Sequence, residues 1–541
     1  MTQHPPSMSR KTIVPVPVIS GSNRPHDATV TANRIAATSS APRRVRLSPS
    51  TRSLVCIHRV LSSPPLGRCT PCDATAASSW HARPGNRGAI GPGASGPSLR
   101  YHLPMRPLPL ASVLGLIAVS PFAAPQPRQL PPAGVLHATS QLEQGLQTAD
   151  SVVANWVDSG RIPGAVLLVA RDDAVVLERA YGWSRLNEYQ TGQYAAWRAA
   201  AADETGARRR ADPVRMTAST VFDLASVTKV MATTLAVMLL VESGEMDVDA
   251  PLQRYLPDFR GNGKANITLR HLLTHRAGLQ QWLPTYYHAS NREQAYEYLR
   301  ARPLAWEVGS GRHYSDLGFM LLGLAVESVA GTSLDDFLRQ RIYAPLGLEQ
   351  TGFRPRDAAG LDDAPDTYAS TSHGNPYEYR MVHDSTFGYR IAGDADAWDG
   401  WRRYTLYGEV NDGNAHHAFE GIAGHAGLFS TARELRVLLQ MLINRGEYSG
   451  RRYLSADLID TFLMPTGQGQ ALGWQLRAYV PMTTFSHTGF TGTLVLAVPE
   501  HDLALVLLTN RQHGGVDRDG SYPDIDPLQR AVVAAVTEGL R

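Results

Sequence analysis

The sequence contains two predicted strand pairs that are widely separated along the chain, and this separation constrains the fold more than any other feature. Residues 164–170 are apolar, a short charged turn follows, and residues 174–180 return as a second strand. Residues 493–498 and 503–510 form the other pair. Between the pairs, residues 184–216 are rich in Ala, Arg and polar residues and are predicted to be an exposed insertion.

Helices are predicted beside both strand pairs, at residues 141–159 and 526–540. The middle of the chain consists mostly of helices and loops. This order predicts an α+β fold with three α/β/α layers. An antiparallel sheet would be built from the N- and C-terminal segments, at about residues 138–225 and 470–541, and flanked by helices. A mainly helical part would occupy about residues 226–469.

The first 104 residues differ in character from the rest. They carry 13 Lys and Arg against two Asp and Glu, are rich in Pro, Ser, Arg and Gly, and show no sustained apolar period. We interpret residues 1–104 as disordered or as a mis-annotated extension. From Met105 the chain has a basic residue, then a short apolar run, and then small residues and prolines. This order indicates a signal peptide at residues 105–124 and hence a periplasmic or secreted protein. A long basic leader containing an apolar stretch is the alternative.

Charge and cysteine content exclude several classes of function. After residue 104 the chain has 39 Lys and Arg against 47 Asp and Glu, which argues against a nucleic-acid partner. All three cysteines, Cys56, Cys69 and Cys72, precede residue 105, so the rest has no thiol nucleophile or disulfide. The lone Cys-x-x-Cys has no second pair that would complete a zinc site. We therefore predict no metal, no cofactor and no integral membrane segment in the mature form.

A serine and a lysine lie at the start of a strongly apolar run. Ser226 and Lys229 precede apolar residues that continue to Val241, and Gly244 ends the run. The pattern predicts a buried helix of about five turns in which both side chains share one face. A lysine that loses hydration favours its neutral form, and a neutral amine can take the serine proton. A helix cap followed by an incidental lysine is the alternative.

Two further segments complete an ordered set of motifs. Tyr314 and Asp316 lie in a predicted loop before a helix at residues 317–330, and His487-Thr488-Gly489 opens the first C-terminal strand. Together with Ser226 and Lys229, these motifs resemble the Ser-x-x-Lys, Tyr-x-Asn and Lys/His-Thr-Gly signatures of serine β-lactamase and penicillin-binding-protein-like hydrolases, in the class C-like branch. Residues 272–279 and 421–431 also resemble this branch. The resemblance covers roughly residues 145–535 and implies a β-lactamase/transpeptidase-like fold.

The resemblance also implies roles for these residues. Ser226 would attack a carbonyl carbon, and Lys229 and Tyr314 would share the proton transfers, with the identity of the base left open. The backbone N–H groups of Ser226 and Phe490 would form the oxyanion hole. His487 and Thr488 would contact substrate on the strand edge, and Gly489 would let it approach closely. Asp316 and Asn414 are also predicted to bind substrate.

Two departures from the family pattern bear on the substrate. Asp316 stands where the family has Asn, and it would pair with Lys229 while favouring the charged amine. His487 replaces the lysine of true β-lactamases and is a poorer anchor for a carboxylate. Both changes favour a carboxylesterase, or a hydrolase of D-amino-acid or cell-wall peptides, over a class C-type β-lactamase. A catalytically silent protein that binds peptidoglycan fragments is the rival from another class.

Other polar and aromatic residues have two interpretations. For the histidines a structural role is favoured over metal binding, because no His-Glu-x-x-His spacing exists. Asp412 and Asn414 would either line the site or brace it. The aromatic-rich residues 377–407 would either roof the site or pack onto the helical part. The histidines are His275, His416, His417 and His425.

Overall fold

The computed structural model describes residues 140–189, 207–355 and 365–540, apart from positions 388, 390, 392, 393, 478, 479, 481, 482 and 518. The interpreted N-terminal extension and the predicted signal peptide at residues 105–124 lie outside the described residues.

The described strands form one large sheet and several small ones. In chain order the strands are β1 (Gly164–Arg171), β2 (Ala174–Tyr189), β3 (Ala207–Arg215), β4 (Phe222–Asp223), β5 (Gly352–Phe353), β6 (Ser370–His373), β7 (Thr405–Tyr407), β8 (Leu428–Ser430), β9 (Glu447–Tyr448), β10 (Arg451–Arg452), β11 (Phe485–Thr488), β12 (Leu494–Val498) and β13 (Leu503–Thr509).

The α-helices surround the large sheet and fill the middle of the chain. In chain order they are α1 (Ser140–Asp158), α2 (Leu235–Glu242), α3 (Leu269–Leu273), α4 (Arg292–Ala301), α5 (Asp316–Ala330), α6 (Leu334–Leu338), α7 (Pro376–His383), α8 (Gly413–Ala418), α9 (Ala432–Ile443), α10 (Ala456–Leu463) and α11 (Asp526–Glu538).

The large sheet joins the two distant strand pairs, as predicted. Its six strands are ordered β11-β12-β13-β1-β2-β3, and β1 pairs antiparallel with β13 at the centre. Successive side chains of β1 face opposite sides of the sheet. Leu168 therefore packs into the core beneath the helical part, whereas Leu167 and Val169 pack into a second core on the other face. Both β1 and β13 are almost entirely buried, which explains why their sequences are apolar without alternation.

Helices cover both faces of this sheet. Helices α1 and α11 pack against each other and bury residues such as Leu142 and Leu528 in the second core. Helix α9 packs on the opposite face against β1 and β13. This arrangement confirms the predicted α+β class with helices on either side of an antiparallel sheet. The two terminal helices end within two residues of their predicted bounds.

The described part of the predicted exposed insertion at residues 184–216 forms strands, and residues 207–215 are mostly exposed, as predicted. Strand β2 continues to Tyr189, and β3 pairs with it along the edge of the sheet. The segment is polar because an edge strand faces solvent, where charged side chains discourage pairing with other chains. The guanidinium of Arg215 lies 3.9 Å from the centre of the Trp183 ring, which covers the indole. Residues 190–206 lie outside the described residues.

By length and composition, one helical stretch among the described residues is long and apolar enough to cross a membrane. It runs from Ala225 to Glu242, and 83% of it is buried within the protein. The bent pair Asp316–Ala330 and Leu334–Leu346 would add a second such stretch if it were counted as one span. The first stretch packs in the core of the helical part.

Candidate active site

Ser226 is accessible at the start of an otherwise buried segment. Every residue from 221 to 240 is buried except Ser226, which is partly exposed. The segment begins with a 3₁₀ turn at Ala225–Val227, widens into a π turn at Lys229–Thr234 and continues as α2. Such π turns are rare and occur often at functional sites. The local sequence therefore buries its apolar residues while leaving one hydroxyl open to solvent.

A buried carboxylate holds the turn before Ser226. Ala225 has a φ of +45°, a left-handed conformation that is unfavourable for alanine. One oxygen of Asp223 accepts the Ala225 N–H at 2.8 Å, and the other accepts the Asn411 N–H at 2.6 Å. Burial raises the pKa of Asp223 to about 6, although the two N–H donors oppose the rise. Asp223 therefore fixes the position of Ser226 and ties it to the loop at Asn411.

The lysine reaches the serine and two other acceptors. Lys229 is fully buried, and its Nζ donates to Ser226 Oγ at 2.9 Å and to the carbonyl oxygen of His425 at 3.1 Å. Its third contact is an ion pair with Asp316 Oδ1 at 2.7 Å. Because an ammonium has three protons, these three contacts use its full donor capacity.

Electrostatics keep the resting lysine charged. Burial lowers the pKa of Lys229, but the Asp316 carboxylate and the Tyr314 phenol raise it more, so its pKa lies above the ordinary value. Burial raises the pKa of Tyr314, the Lys229 ammonium opposes that rise, and the Asp316 carboxylate adds to it. Lys229 Nζ lies 5.0 Å from the centre of the Tyr314 ring, so the ammonium and the phenol are close neighbours. The three predicted catalytic side chains thus meet in one place, with the lysine as an ammonium.

Helix α5 positions Asp316. Ser315 caps this helix by accepting the Gly318 N–H at 3.2 Å, and Asp316 N donates to the carbonyl oxygen of Gln281 at 2.9 Å. The predicted helix at 317–330 begins one residue earlier, at Asp316. The Asp316 carboxylate therefore extends from the first turn of a helix whose start is fixed by hydrogen bonds, and it contacts Lys229.

We expect Asp316→Asn to shift the pH dependence of kcat/KM. If the Lys229–Tyr314 pair takes the proton of Ser226, as the sequence predicts, the pair must first lose one proton itself. The Asp316 carboxylate raises the pKa of Lys229, so the neutral amide lowers it and moves the rise of the pH profile to lower pH. Asp249→Asn, which breaks an ion pair on the surface, should leave the profile in place. A rise at the same pH in Asp316→Asn would contradict this expectation.

The His-Thr-Gly segment is fastened to the residues just before Ser226. It ends β11, the edge strand of the large sheet, and Thr491 and Thr493 donate to the carbonyl oxygens of Asp223 at 2.7 Å and Leu224 at 3.0 Å. A Cβ on Gly489 would lie 2.3 Å from the Leu224 oxygen, so only glycine fits this close approach. The segment thereby brings the Phe490 backbone next to Ser226, where the predicted oxyanion hole would form.

Arg511 is a positioning residue that sequence reasoning missed. It is fully buried, and two of its nitrogens donate to the carbonyl oxygen of Phe490, at 2.7 and 3.0 Å. Its guanidinium also lies 5.2 Å from the centre of the Phe490 ring. A buried arginine following a strand is the only signal in the sequence, and it does not indicate a partner 21 residues away.

His487 is neutral in this environment. Burial lowers the pKa of His487 to about 3, and the Lys229 ammonium lowers it further. Its Nδ1 lies 2.8 Å from the carbonyl oxygen of Thr488, an acceptor, so Nδ1 carries the proton. Within the described part of the chain, Thr488 Oγ1 is buried without a hydrogen-bond partner. His487 therefore supplies no positive charge for a substrate.

The structure favours the bracing interpretation for Asn414 and Asp412. Asn414, which the sequence analysis predicts to bind substrate, is fully buried. Its side-chain amide accepts the Thr285 N–H at 2.8 Å and donates to the Leu283 oxygen at 2.9 Å. Asp412 caps α8 and bonds with His425 Nε2 at 2.9 Å. Because the His425 carbonyl accepts from Lys229, Asp412 acts on the site through His425.

The histidines have structural contacts. His275 Nδ1 accepts the Ser315 N–H at 3.1 Å, and its ring packs on Tyr314 with centres 4.4 Å apart. Burial lowers the pKa of His416 and of His417 to about 3. Across the residues that the structure describes, no group of three His, Cys, Asp or Glu side chains is arranged to hold a metal ion.

Part of the aromatic-rich region borders the site. The Tyr377 ring lies 5.1 Å from that of Phe490, and Tyr389 Oη donates to Gln281 Oε1 at 3.2 Å. Gln281 in turn accepts the backbone N–H of Asp316. Trp398 and other rings of the region pack among themselves and on residues of the helical part. The two interpretations of residues 377–407 thus apply to different parts of the segment.

A helix-flanked antiparallel sheet with a serine, a lysine and a tyrosine meeting at its edge defines a class of serine hydrolases. The β-lactamase family model matches residues 149–528. The chain therefore belongs to the β-lactamase family, the serine hydrolases of the β-lactamase and penicillin-binding-protein type.

Similar proteins include several hydrolases. The chain is 31% identical over 406 residues to an N-acetylmuramyl-L-alanine amidase of Bacillus subtilis (strain 168), covering 70% of this chain and 84% of the relative. It is 30% identical over 447 residues to a "Putative D-alanyl-D-alanine carboxypeptidase" of Salmonella schwarzengrund (strain CVM19633), covering 77% and 94%. The solved structure of EstCE1, a hydrolase with promiscuous acyltransferase activity, shares the fold at 21% identity, with a TM-score of 0.50 and coverage of 73% and 99%.

Proposed function

We propose that the chain hydrolyses amide bonds in peptidoglycan-derived peptides through an acyl-enzyme on Ser226. The observation that carries this proposal is the 2.9 Å contact between Lys229 Nζ and the accessible Ser226 Oγ. A periplasmic or secreted location, which residues 105–124 predict, would bring such an enzyme to its substrate.

In the proposed acylation step, Ser226 Oγ forms a bond to the carbonyl carbon while its proton passes to the Lys229–Tyr314 pair. The negative charge that develops on the carbonyl oxygen would be stabilised by the N–H groups of Ser226 and Phe490. The C–N bond then breaks, and the pair returns a proton to the leaving amine. The position of the Tyr314 ring, whose centre lies 5.0 Å from Lys229 Nζ, supports its role as the donor in this return.

In the proposed deacylation step, water attacks the ester carbon and gives its proton to the same pair. The C–O bond to Ser226 breaks, and the serine oxygen regains a proton, which restores the starting state. The pair must again be one proton short when water attacks. Both steps therefore require the same deprotonated form of the Lys229–Tyr314 pair. Asp316 disfavours this form because its carboxylate stabilises the Lys229 ammonium.

Three observations support an amide substrate from the cell wall. The names of the amidase and carboxypeptidase relatives refer to bonds of this kind. The aromatic rings beside Phe490 and Gln281 would provide an apolar wall for a sugar or a peptide side chain. The neutral His487 provides no ammonium for the carboxylate of a β-lactam. This last feature also favours the second candidate, a carboxylesterase acting on neutral esters.

A substrate panel tests the proposed function. We expect kcat/KM for an N-acetylmuramyl-L-alanine peptide, or for a peptide ending in D-alanyl-D-alanine, to exceed that for nitrocefin at least about tenfold. Release of amine is measured for the peptides, and colour change for nitrocefin and p-nitrophenyl acetate.

The panel also separates the rivals. Dominant nitrocefin turnover would establish a β-lactamase instead, and turnover confined to the nitrophenyl ester would establish an esterase. Binding of muropeptides without any turnover would establish the silent binding protein. Ser226→Ala serves as the control for turnover by a contaminant in every assay.

A further inference from the structure

His275 occupies a backbone position where glycine is the usual residue. It follows α3 and has a left-handed conformation, with a φ of +57°. Its N–H donates to the Leu272 oxygen at 3.1 Å, and the N–H of Arg276 donates to the His271 oxygen at 2.7 Å. These two bonds form a Schellman motif, in which the left-handed residue is most often glycine because a Cβ is unfavourable there. The end of the helix alone would favour glycine, so the reason for a histidine lies in its other contacts.

These other contacts hold Tyr314 and the residues on both sides of it. The carbonyl oxygen of His275 accepts the His313 N–H at 2.8 Å, and its Nδ1 accepts the Ser315 N–H at 3.1 Å. The imidazole also packs on the Tyr314 ring, with ring centres 4.4 Å apart. One buried residue therefore contacts the backbone before Tyr314, the backbone after it and the phenol ring itself.

The phenol oxygen of Tyr314 is not held by a hydrogen bond of its own. Tyr314 is buried, and among the described residues its Oη has no hydrogen-bond partner. The place of this oxygen is therefore set by the backbone at residues 313–315 and by the rings packed on the phenol. The ring of His275 is nearer to it than that of His487, at 4.4 Å against 6.3 Å between ring centres. Burial lowers the pKa of His275 well below its usual range, and the Arg312 guanidinium lowers it further, so Nδ1 stays an acceptor.

We propose that His275 is a positioning residue that orients the Tyr314 phenol toward the leaving group. This rests on the proposed function, in which Tyr314 returns a proton to the leaving amine. The contact between Lys229 and Ser226 does not involve His275, so attack on the carbonyl carbon depends on His275 less than the return of the proton does. A displaced phenol should therefore impair strongly basic leaving groups most, because these need a proton in order to depart.

Two acetate esters that differ only in the leaving group test this role. Phenoxide is a stronger base than p-nitrophenoxide, so phenyl acetate depends more on the returned proton than p-nitrophenyl acetate does. We expect His275→Asn to lower kcat/KM about 10- to 100-fold for phenyl acetate and less than about threefold for p-nitrophenyl acetate. Because both substrates are esters, the comparison does not depend on whether a peptide amide is turned over.

His275→Asn suits this test because it keeps the backbone contacts. Asparagine tolerates the left-handed conformation, and its side-chain oxygen can accept the Ser315 N–H, so the main loss is the ring on Tyr314. His275→Gly also fits this backbone but removes the acceptor, so it should lower kcat/KM for phenyl acetate further. It carries the same comparison if urea unfolding shows that His275→Asn does not fold. The matched control is His288→Asn, at an exposed histidine stacked on Tyr298 with ring centres 4.5 Å apart, which should change neither ester.

A double-mutant cycle with Tyr314→Phe separates positioning from a general structural effect. A residue that acts through the phenol has little left to affect once the phenol oxygen is gone. In the Tyr314→Phe background, each His275 variant should therefore lower kcat/KM for phenyl acetate less than about threefold. Losses that multiply in the double variant, or that are equal on both esters, would overturn the role of His275 alone. Full turnover of phenyl acetate by Tyr314→Phe itself would instead overturn the proton transfer of the proposed function, and the role of His275 with it.

Discussion

Ser226→Ala should lower kcat/KM by about 10⁴-fold or more on every substrate that the wild-type enzyme turns over. The substitution removes the atom that would form the bond to the carbonyl carbon. A fluorophosphonate probe, which reacts covalently with activated serines, should label the wild-type protein and not the variant. Intact-mass measurement after labelling reports both results directly.

The control for this substitution is Ser219→Ala. Ser219 is an exposed serine in the turn just before the same segment, and its hydroxyl hydrogen-bonds with that of Thr217. This variant should label and turn over as the wild type does. The fold should survive in both variants, because Lys229 keeps its contacts with Asp316 and His425 when the serine oxygen is lost. Unchanged labelling of Ser226→Ala would contradict the proposed nucleophile.

The sheet could be predicted because its strands are defined by local patterns. The turn after β1 and the apolar composition of β1 and β13 are visible in the sequence without knowledge of their partners. The extension of β2 to Tyr189 could not be predicted in the same way. Most of its residues are only partly buried, so no apolar pattern marks them, and only the pairing with β3 shows that this polar segment is a strand.

The same distinction applies to the site. The spacing of Ser226 and Lys229 predicts a shared helix face, since the helix itself fixes that geometry. The protonation state of Lys229 could not be predicted from the apolar run alone. Burial lowers the pKa of Lys229, but the Asp316 carboxylate contributes to a larger rise. Asp223 and Arg511 were missed because their partners, Asn411 and Phe490, are brought to them by the tertiary fold.

Lys229→Met should lower kcat/KM by about 10³-fold, within the range for loss of a general base. Methionine fits the length of the lysine stem in a fully buried position but has no group that accepts a proton. The variant should also be less stable, by about 3 kcal/mol, because it leaves the largely buried Asp316 carboxylate without its cation. The pKa of Lys229 is raised in the folded state, so the ion pair is intact below the ordinary lysine pKa and is lost only at higher pH. Urea unfolding at pH 7 therefore measures the fully formed pair.

The double variant Lys229→Met/Asp316→Asn separates the two effects. Replacing the carboxylate by a neutral amide removes the unpaired charge, so most of the lost stability should return. Activity should stay as low as in Lys229→Met, because the group that takes the serine proton is still missing. If activity returned together with stability, Lys229 would act only by holding the site together, and Tyr314 alone would be the base. If neither returned, the loss would come from packing around residue 229, and the ion pair would not be the cause.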